Sequence, residues 1–507
     1  MKYYIKTFGC QLNISDSERI AGFLEMHKIK PARDINQADL VIFNTCGVRQ
    51  SAEDRVYGQI HNLHKTCNMK HKTIVVTGCL ANRKDFIRRL KDKVDLFCEI
   101  KDFPREISSF LARHPEDGTK PDEGSSKKYR KQCYKADSSF RWSGTQNDGL
   151  YFNILPKYRN KHTAFVPVMT GCNNFCSYCV VPYARGPEVS RPAGEIIKEI
   201  KSLIKNGYKE IILLGQNVNS YKDTSLSSSP LVESLPAGRQ GSREAGGEGK
   251  NKAVSLIRPS GTFSLREKGD FLLKENKIIT FPALLKKVNA IPGNFWISFI
   301  SNHPKYFSDE LIETATKLKK VCELIHLPMQ AGSNKILEKM NRKYTAKQYL
   351  ALVDKIKKAF RNNKPGKIYA ITSDIIVGFP GETKKQFLES AKIMERVGYD
   401  MVYFGQFSPR PGTVAYKMNN NVSKHEKERR ENYLNEILKK TAYNNNKKYI
   451  GKELEVLVTE KKNGYYFGHT RTMKNVKIIS AKNKLIGKII KLKISKANAW
   501  NLEALKK

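Results

Sequence analysis

No run in this 507-residue chain approaches the ~18 consecutive apolar residues of a membrane-spanning helix. The expectation is therefore a protein without membrane spans. The first residues, Met1-Lys2-Tyr3-Tyr4-Ile5-Lys6, lack the apolar centre of a secretory leader, so the expected location is the cytoplasm. Acidic residues are scarce: 49 Asp and Glu stand against 91 Lys and Arg, a formal net charge of +42. That imbalance costs self-repulsion and is more than a solvated surface needs. It fits a polyanionic partner, of which nucleic acid is the commonest. A generally Lys-rich proteome is the competing explanation. The length points to several domains, at the usual ~100–200 residues for each.

What the chain does have is ten cysteines. In the cytoplasm disulfides are rare, and clustered cysteines signal metal or catalysis. Residues 1–114 repeat a unit of strand, cysteine and helix. Lys2–Phe8, Leu40–Phe43 and Thr73–Val76 read as strands, and Cys10, Cys46 and Cys79 follow them. Helical patterns over Asp16–His27 and Ser51–His64 fill the gaps. This predicts an open parallel α/β domain, in which ligands bind beyond the carboxyl ends of the strands. Three cysteines distant in sequence converge there.

Residues 115–160 are polar and irregular and read as a linker. From 161 to 440 short apolar strands alternate with helices such as Ala193–Lys205 and Lys384–Val397. The strands are Phe165–Met169, Glu210–Leu214, Phe295–Ile300, Glu323–Leu327, Tyr369–Val377 and Met401–Phe407. Six parallel strands predict an incomplete barrel, (β/α)6. The stretch 223–274 interrupts it; rich in Ser, Gly and Pro and without periodicity, it is expected to be a disordered insertion. Residues 445–507 carry short strands with Gly/Asn turns, the pattern of a small β-barrel. Tyr465, Tyr466, Phe467, His469 and Arg471 lie together there. Cations among aromatics suit phosphate contact and base stacking, and Tyr466, Phe467, His469 and Arg471 are the expected RNA-contacting set. Core aromatics beside a solvated basic face would produce the same pattern.

The sharpest signal is Cys172-Asn173-Asn174-Phe175-Cys176-Ser177-Tyr178-Cys179, a C-x3-C-x2-C loop just after a strand. Three thiolates can hold three irons of a [4Fe–4S] cube and leave the fourth open, since full protein ligation takes four cysteines. Zinc is the alternative, but a structural zinc site wants a fourth ligand at close spacing. On an α/β-barrel pattern this loop resembles the radical S-adenosylmethionine superfamily. The resemblance implies that S-adenosylmethionine binds the open iron and is cleaved to a 5′-deoxyadenosyl radical.

The segments Gly9-Cys10-Gln11-Leu12-Asn13, Asn44-Thr45-Cys46-Gly47 and Thr77-Gly78-Cys79 resemble the N-terminal domain of the methylthiotransferase family. That resemblance implies an auxiliary [4Fe–4S] cluster on Cys10, Cys46 and Cys79, whose open iron handles sulfur. Val180-Val181-Pro182-Tyr183-Ala184-Arg185-Gly186 and Leu214-Gly215-Gln216-Asn217-Val218-Asn219-Ser220-Tyr221 resemble the branch that modifies isopentenyladenosine at position 37 of transfer RNA. His326–Ser333, Asp374–Thr383 and Arg410-Pro411-Gly412-Thr413 agree with it, and the terminal barrel resembles the family's TRAM domain. Trp296–Pro304 departs from the family's Arg-rich version, which puts polar contacts from that strand in doubt.

The family chemistry implied is methylthiolation of adenine C2. It uses two S-adenosylmethionine molecules and two [4Fe–4S] clusters: one methyl goes to sulfur on the auxiliary cluster, and a second cofactor molecule supplies the radical. Replacing an unactivated C–H by C–S is beyond side-chain acid–base groups and calls for such a cofactor. Gly215, Gln216, Asp374 and Gly378 lie at strand ends and are expected to line the S-adenosylmethionine site. Arg185 and Arg191 are expected to meet phosphate or the cofactor carboxylate, with surface ion pairing as the alternative. Cys67, Cys98, Cys133 and Cys322 are expected to be structural. Expected partners are tRNA, an electron-donor protein and a sulfur donor, with a monomeric enzyme and no membrane. The alternatives are a methylthiotransferase acting on threonylcarbamoyl-adenosine or a ribosomal protein, and a non-catalytic zinc-dependent RNA-binding protein.

Overall fold

The structure, a computed structural model, describes residues 1–48, 50–66, 72–113, 148–224, 278–480 and 484–506. The first unit is a five-stranded parallel sheet: β1 (Lys2–Thr7), β2 (Lys30–Pro31), β3 (Leu40–Thr45), β4 (Thr73–Gly78) and β5 (Leu96–Phe97), in the order β2-β1-β3-β4-β5. Strand β3, Leu-Val-Ile-Phe-Asn-Thr, is buried at every position because helices cover both faces of the sheet. Helices α1 (Gln11–Met26) and α2 (Gln50–Thr66) start just past the ends of β1 and β3. Cys10, Cys46 and Cys79 therefore stand at the carboxyl ends of three adjacent strands.

The second unit contains β6 (Thr163–Pro167), the short antiparallel pair β7 (Met169–Thr170) and β8 (Val189–Ser190), and then β9 (Glu210–Leu214). After β10 (Lys222–Asp223) and β11 (Ile279–Thr280) come β12 (Trp296–Phe299), β13 (Leu324–His326), β14 (Ala370–Val377) and β15 (Met401–Gln406). The parallel ladders run β6-β9-β12 and β13-β14-β15, joined by a parallel bridge between Ile297 and Val321. This is the six-stranded partial barrel. Its outer layer is a continuous apolar core in which Ile211, Leu213, Ile297 and Phe299 meet the surrounding helices. The opposite strand faces carry Ile212 and Leu214, and Leu12 of α1 packs on them.

The third unit is a closed barrel of β16 (Glu453–Lys462), β17 (Tyr465–Thr470), β18 (Asn475–Ser480), β19 (Ile489–Ala497) and β20 (Asn501–Lys506), in the order β16-β17-β18-β20-β19.

Two boundaries differ from the sequence pattern. Residues 148–160, within the stretch that reads as a linker, include a helix over Asp148–Asn153 and pack between the first two units. Tyr151 and Phe152 are buried there, and Arg19 donates to the carbonyls of Phe152 (3.2 Å) and Ile154 (2.6 Å). One apolar pair in a polar stretch is enough to anchor it. Asp223, expected to open the disordered insertion, lies in β10, which pairs with β11, and its carboxylate accepts the Ala193 N–H at 2.7 Å. The remainder of that insertion, from 225, lies outside the described residues.

Candidate functional site

The first cysteine triplet is held by a polar lattice. Asn13 donates to Asn44 Oδ1 (3.0 Å) and the Thr45 carbonyl (2.9 Å), while Asn44 returns a bond to the Asn13 carbonyl (2.8 Å). These bonds fix the start of α1 against the end of β3. Gly9 has φ +118°, and a Cβ there would lie 2.5 Å from Cys46 Cβ and 3.0 Å from its Sγ. Only glycine allows this approach. Cys10 Sγ lies 3.2 Å from Asn13 Oδ1. Cys46 and Cys79 are buried.

The second triplet sits on the loop after β7. Burial pushes the Cys172 thiol up, and the Cys179 thiol to about 12, with Cys176 reinforcing both shifts. The loop is tied down from several sides: Ser177 donates to the Lys339 carbonyl (2.7 Å), and Glu188 accepts from the Asn173 N–H (3.4 Å) and from Asn217 (3.1 Å). Arg342, which no sequence pattern singled out, is buried and donates to Cys176 Sγ at 3.4 Å. Burial works against its charge, but Tyr344, Tyr178 and Cys176 outweigh burial and hold the guanidinium well above its usual value. The available signal was its place in Met340-Asn341-Arg342-Lys343-Tyr344-Thr345, just after a short helix.

The two triplets face each other across the junction of the first two units. A Cβ on Gly47, beside Cys46, would lie 3.2 Å from Val180, beside Cys179. Asn82 donates to the Tyr183 carbonyl at 3.1 Å. Arg185 is buried and pairs with Asp16 of α1 at 2.6 Å, and Tyr151 hydroxyl donates to the same carboxylate. Burial opposes its charge, yet Asp16, Cys79 and Cys10 hold Arg185 well above the usual arginine range. Arg191 bonds the Pro167 carbonyl (2.8 Å) and Glu199 (2.8 Å). Both arginines are thus internal, one joining the units and one bracing β6, and neither offers a surface to phosphate.

At the strand ends, Gln216 Oε1, Asn217 Oδ1 and Asn302 Oδ1 are buried without a hydrogen-bond partner. Such atoms are costly unless a ligand meets them, and they gather at the ends of β9 and β12, beside the second triplet. Asp374 lies on the inward face of β14 and is half-exposed, with Oδ2 3.3 Å from His326 Nε2. Gly215 is there for packing, since a Cβ would lie 2.6 Å from Met169 Cγ. Gly378 is a correction. Its N–H bonds Glu382 (2.7 Å), its φ is +69°, and Lys427 occupies the space a Cβ would take, so its N–H is not free for a ligand and packing accounts for the glycine.

Three of the four expected RNA-contacting residues, Tyr466, His469 and Arg471, are also corrected. Tyr466 is 2% exposed and belongs to the small barrel's core. His469 bonds Glu210 (3.1 Å) at the start of β9, and Arg471 pairs with Glu323 (2.8 Å) before β13. Lys474 pairs with Asp400 (2.9 Å) before β15. These residues dock the small barrel on the amino-terminal ends of the strands, opposite the cysteines, and Trp296, Cys322 and Leu457 form the apolar centre of that joint. Phe467 is half-buried. Cations and aromatics cluster in sequence because alternate residues of β17 serve a core and a joint. Tyr465 does remain exposed, with Lys477 3.9 Å above its ring.

Cys98 and Cys322 are buried in apolar surroundings, and burial pushes each thiol to about 12. Cys67 and Cys133 lie outside the described residues. Among the described residues no three His, Cys, Asp or Glu are arranged to hold a single metal ion. No helix of the described residues is long and apolar enough to cross a membrane.

Residues 166–394 match the radical SAM superfamily, residues 2–99 the uncharacterized protein family UPF0004, and residues 447–506 the TRAM domain. With a thiol-rich loop at the carboxyl end of a six-stranded partial barrel, these matches define a radical SAM enzyme, whose cofactors are an iron–sulfur cluster and S-adenosylmethionine. The chain is 37% identical over 516 residues to the tRNA-2-methylthio-N(6)-dimethylallyladenosine synthase of Thermoanaerobacter sp. (strain X514), covering 99% of this chain and 92% of that protein. The protein of that name from Clostridium botulinum (strain Okra / Type B1) is 36% identical, with 99% and 96% covered. The chain belongs to the tRNA-2-methylthio-N(6)-dimethylallyladenosine synthase family, and it is a methylthiotransferase. Among solved structures it is similar to a radical S-adenosylmethionine methyltransferase, TsrM, from Kitasatospora setae, at 14% identity and a TM-score of 0.46, over 82% of this chain and 74% of that one.

Proposed function

We propose that this enzyme converts N6-isopentenyladenosine at position 37 of tRNA to its 2-methylthio derivative, using two [4Fe–4S] clusters and two molecules of S-adenosylmethionine. Cys172, Cys176 and Cys179 would hold one cluster, and Cys10, Cys46 and Cys79 the other. The observation that carries this reading is the contact of Gly47 with Val180, which sets one triplet beside the other. The donor set fits: each triplet supplies three thiols, one short of full ligation. When bound, the clusters and S-adenosylmethionine supply radical chemistry and sulfur, which no side chain provides.

The protein's own part is to bind, orient and exclude water. Arg342 steadies the charge on Cys176. Gln216 and Asn302 offer buried acceptors to the ammonium and hydroxyl groups of the nucleosyl cofactor. Asp374, half-exposed beside His326, would line the S-adenosylmethionine site. Tyr465 and Lys477 offer a stacking surface with a cation for tRNA, in place of the residues engaged at the joint. An electron-donor protein and a sulfur donor complete the reaction, which the reading places in the cytoplasm with a monomeric enzyme.

The test is expression in a host without its own enzyme, followed by mass spectrometry of tRNA nucleosides. 2-Methylthio-N6-isopentenyladenosine is expected. A methylthio group on threonylcarbamoyl-adenosine, or on a ribosomal protein, would overturn the substrate assignment while leaving the chemistry.

A further inference from the structure

The segment Arg410-Pro411-Gly412-Thr413 follows β15 and has no part in the assignments above. Arg410 is 3% exposed. It reaches from the barrel into the first unit, where its Nη1 donates to Gln50 Oε1 (3.0 Å) and Glu53 Oε2 (2.9 Å) on α2, the helix that begins just past Cys46. Glu53 does not complete its environment. The same carboxylate is gripped at both oxygens by Arg83, from the loop after Cys79. Glu53 is thus shared by two guanidinium groups; Arg83 has a second carboxylate in Asp85 (2.8 Å), whereas Nε and Nη2 of Arg410 remain buried with no acceptor. A buried cation with two idle donors marks a place where an anion belongs.

Location narrows the anion. Cys46 lies in the field of Arg410. The same loop is tied to the other triplet, because the Ala415 N–H donates to the Ser177 carbonyl at 2.7 Å. Arg410 and the loop that carries it therefore connect the helix after Cys46 with the loop of the other triplet. The burial of Arg410 keeps it from the tRNA phosphates, so a small anion generated inside the site is the fitting occupant.

We propose that Arg410 is a positioning residue whose Nε and Nη2 donors hold the anionic sulfur carried at the auxiliary site of Cys10, Cys46 and Cys79. The inference rests on the two-cluster reading above. A planar fork with two free donors restrains a sulfur anion in direction as well as in charge, which a lysine ammonium does less well.

The test uses the full chain bearing C172A, C176A and C179A, so that only the auxiliary cluster assembles. After anaerobic reconstitution, sodium methanethiolate is titrated while the electron paramagnetic resonance of the reduced cluster is followed, with Arg410 intact and in R410K and R410M. With iron content unchanged, R410M is expected to raise the methanethiolate midpoint by about tenfold or more, as loss of an outer partner commonly does, with R410K in between. Equal midpoints at equal iron content would overturn the role. Loss of iron in R410M leaves R410K to decide, a raised midpoint supporting the role and an unchanged one overturning it. Loss of iron in both would make Arg410 a support of the ligand loops and overturn it too. Failure of the Arg410-containing parent to bind roughly four irons would instead sink the auxiliary-cluster reading beneath it.

Discussion

At the scale of single residues, the two triplets carry different expectations. Cys176→Ala is expected to abolish cleavage of S-adenosylmethionine, measured as 5′-deoxyadenosine release. Cys46→Ala is expected to keep some cleavage and to lose methylthio transfer; full product from that variant would contradict the auxiliary role. Arg342→Met removes the donor to Cys176 without touching a thiol. It should slow cleavage by roughly 10–100-fold, the usual loss for a partner behind a ligand, with the reduced-cluster spectrum shifted. An unchanged spectrum and rate would make Arg342 only a packing residue. The placement of Cys10, Cys46 and Cys79 at three strand ends was legible because strand, turn and thiol recur together, and that of Cys172, Cys176 and Cys179 on one loop because of their close spacing. Arg342 and Arg410 were not, since an arginine that ends in a thiol's field looks, in sequence, like any surface cation. Gly378 misled for a related reason: a glycine past a strand serves equally for a ligand and for the stem of Lys427.

Within elements, α1 carries more than its polar sequence implies. Asp16, Glu18 and Arg19 are all buried, because the segment over 148–160 closes over them. Glu18 accepts the Arg159 N–H at 3.0 Å through one oxygen and leaves the other unpartnered. Burial lifts its carboxyl to about 7 from 4.5. A raised carboxyl means that the folded state holds a proton which the unfolded state has released, so stability falls as pH rises from about 4.5 to about 7. Glu18→Gln should therefore gain on the natural protein between pH 5 and pH 8, by on the order of 3 kcal/mol of relative stability. Thermal midpoints of both proteins at the two pH values check this, and a constant difference would refute it. Strand β17 shows how an element can be read correctly and assigned wrongly. Its alternation was visible, but which face met a neighbouring domain was not, because Glu210 and Glu323, the partners of His469 and Arg471, lie far away in sequence. Arg471→Ala is accordingly expected to destabilise the joint by about 1.5–3 kcal/mol, the loss of a charge-assisted hydrogen bond, since Glu323 keeps its pair with Lys364 (2.9 Å); the unfolding midpoint reads it. Lys477→Ala should instead weaken tRNA binding and lower the salt slope by about 1.

For the whole molecule, three units and their order along the chain were legible from periodicity alone, and the partial barrel follows its predicted strands closely. The packing of the units against one another was not, because it depends on pairings such as Asp16 with Arg185 and Glu53 with Arg410. Those joints run in both directions. In two pairs the carboxylate belongs to the first unit and the guanidinium to the barrel, Arg19 of the first unit reverses the order with Glu199 of the barrel, and each member is almost wholly buried. A gene fragment encoding either half would expose ions of both signs stripped of their partners. Neither truncated product would then be a faithful stand-in for the intact enzyme, and mixing the two pieces would reassemble them more readily in dilute salt than in concentrated salt.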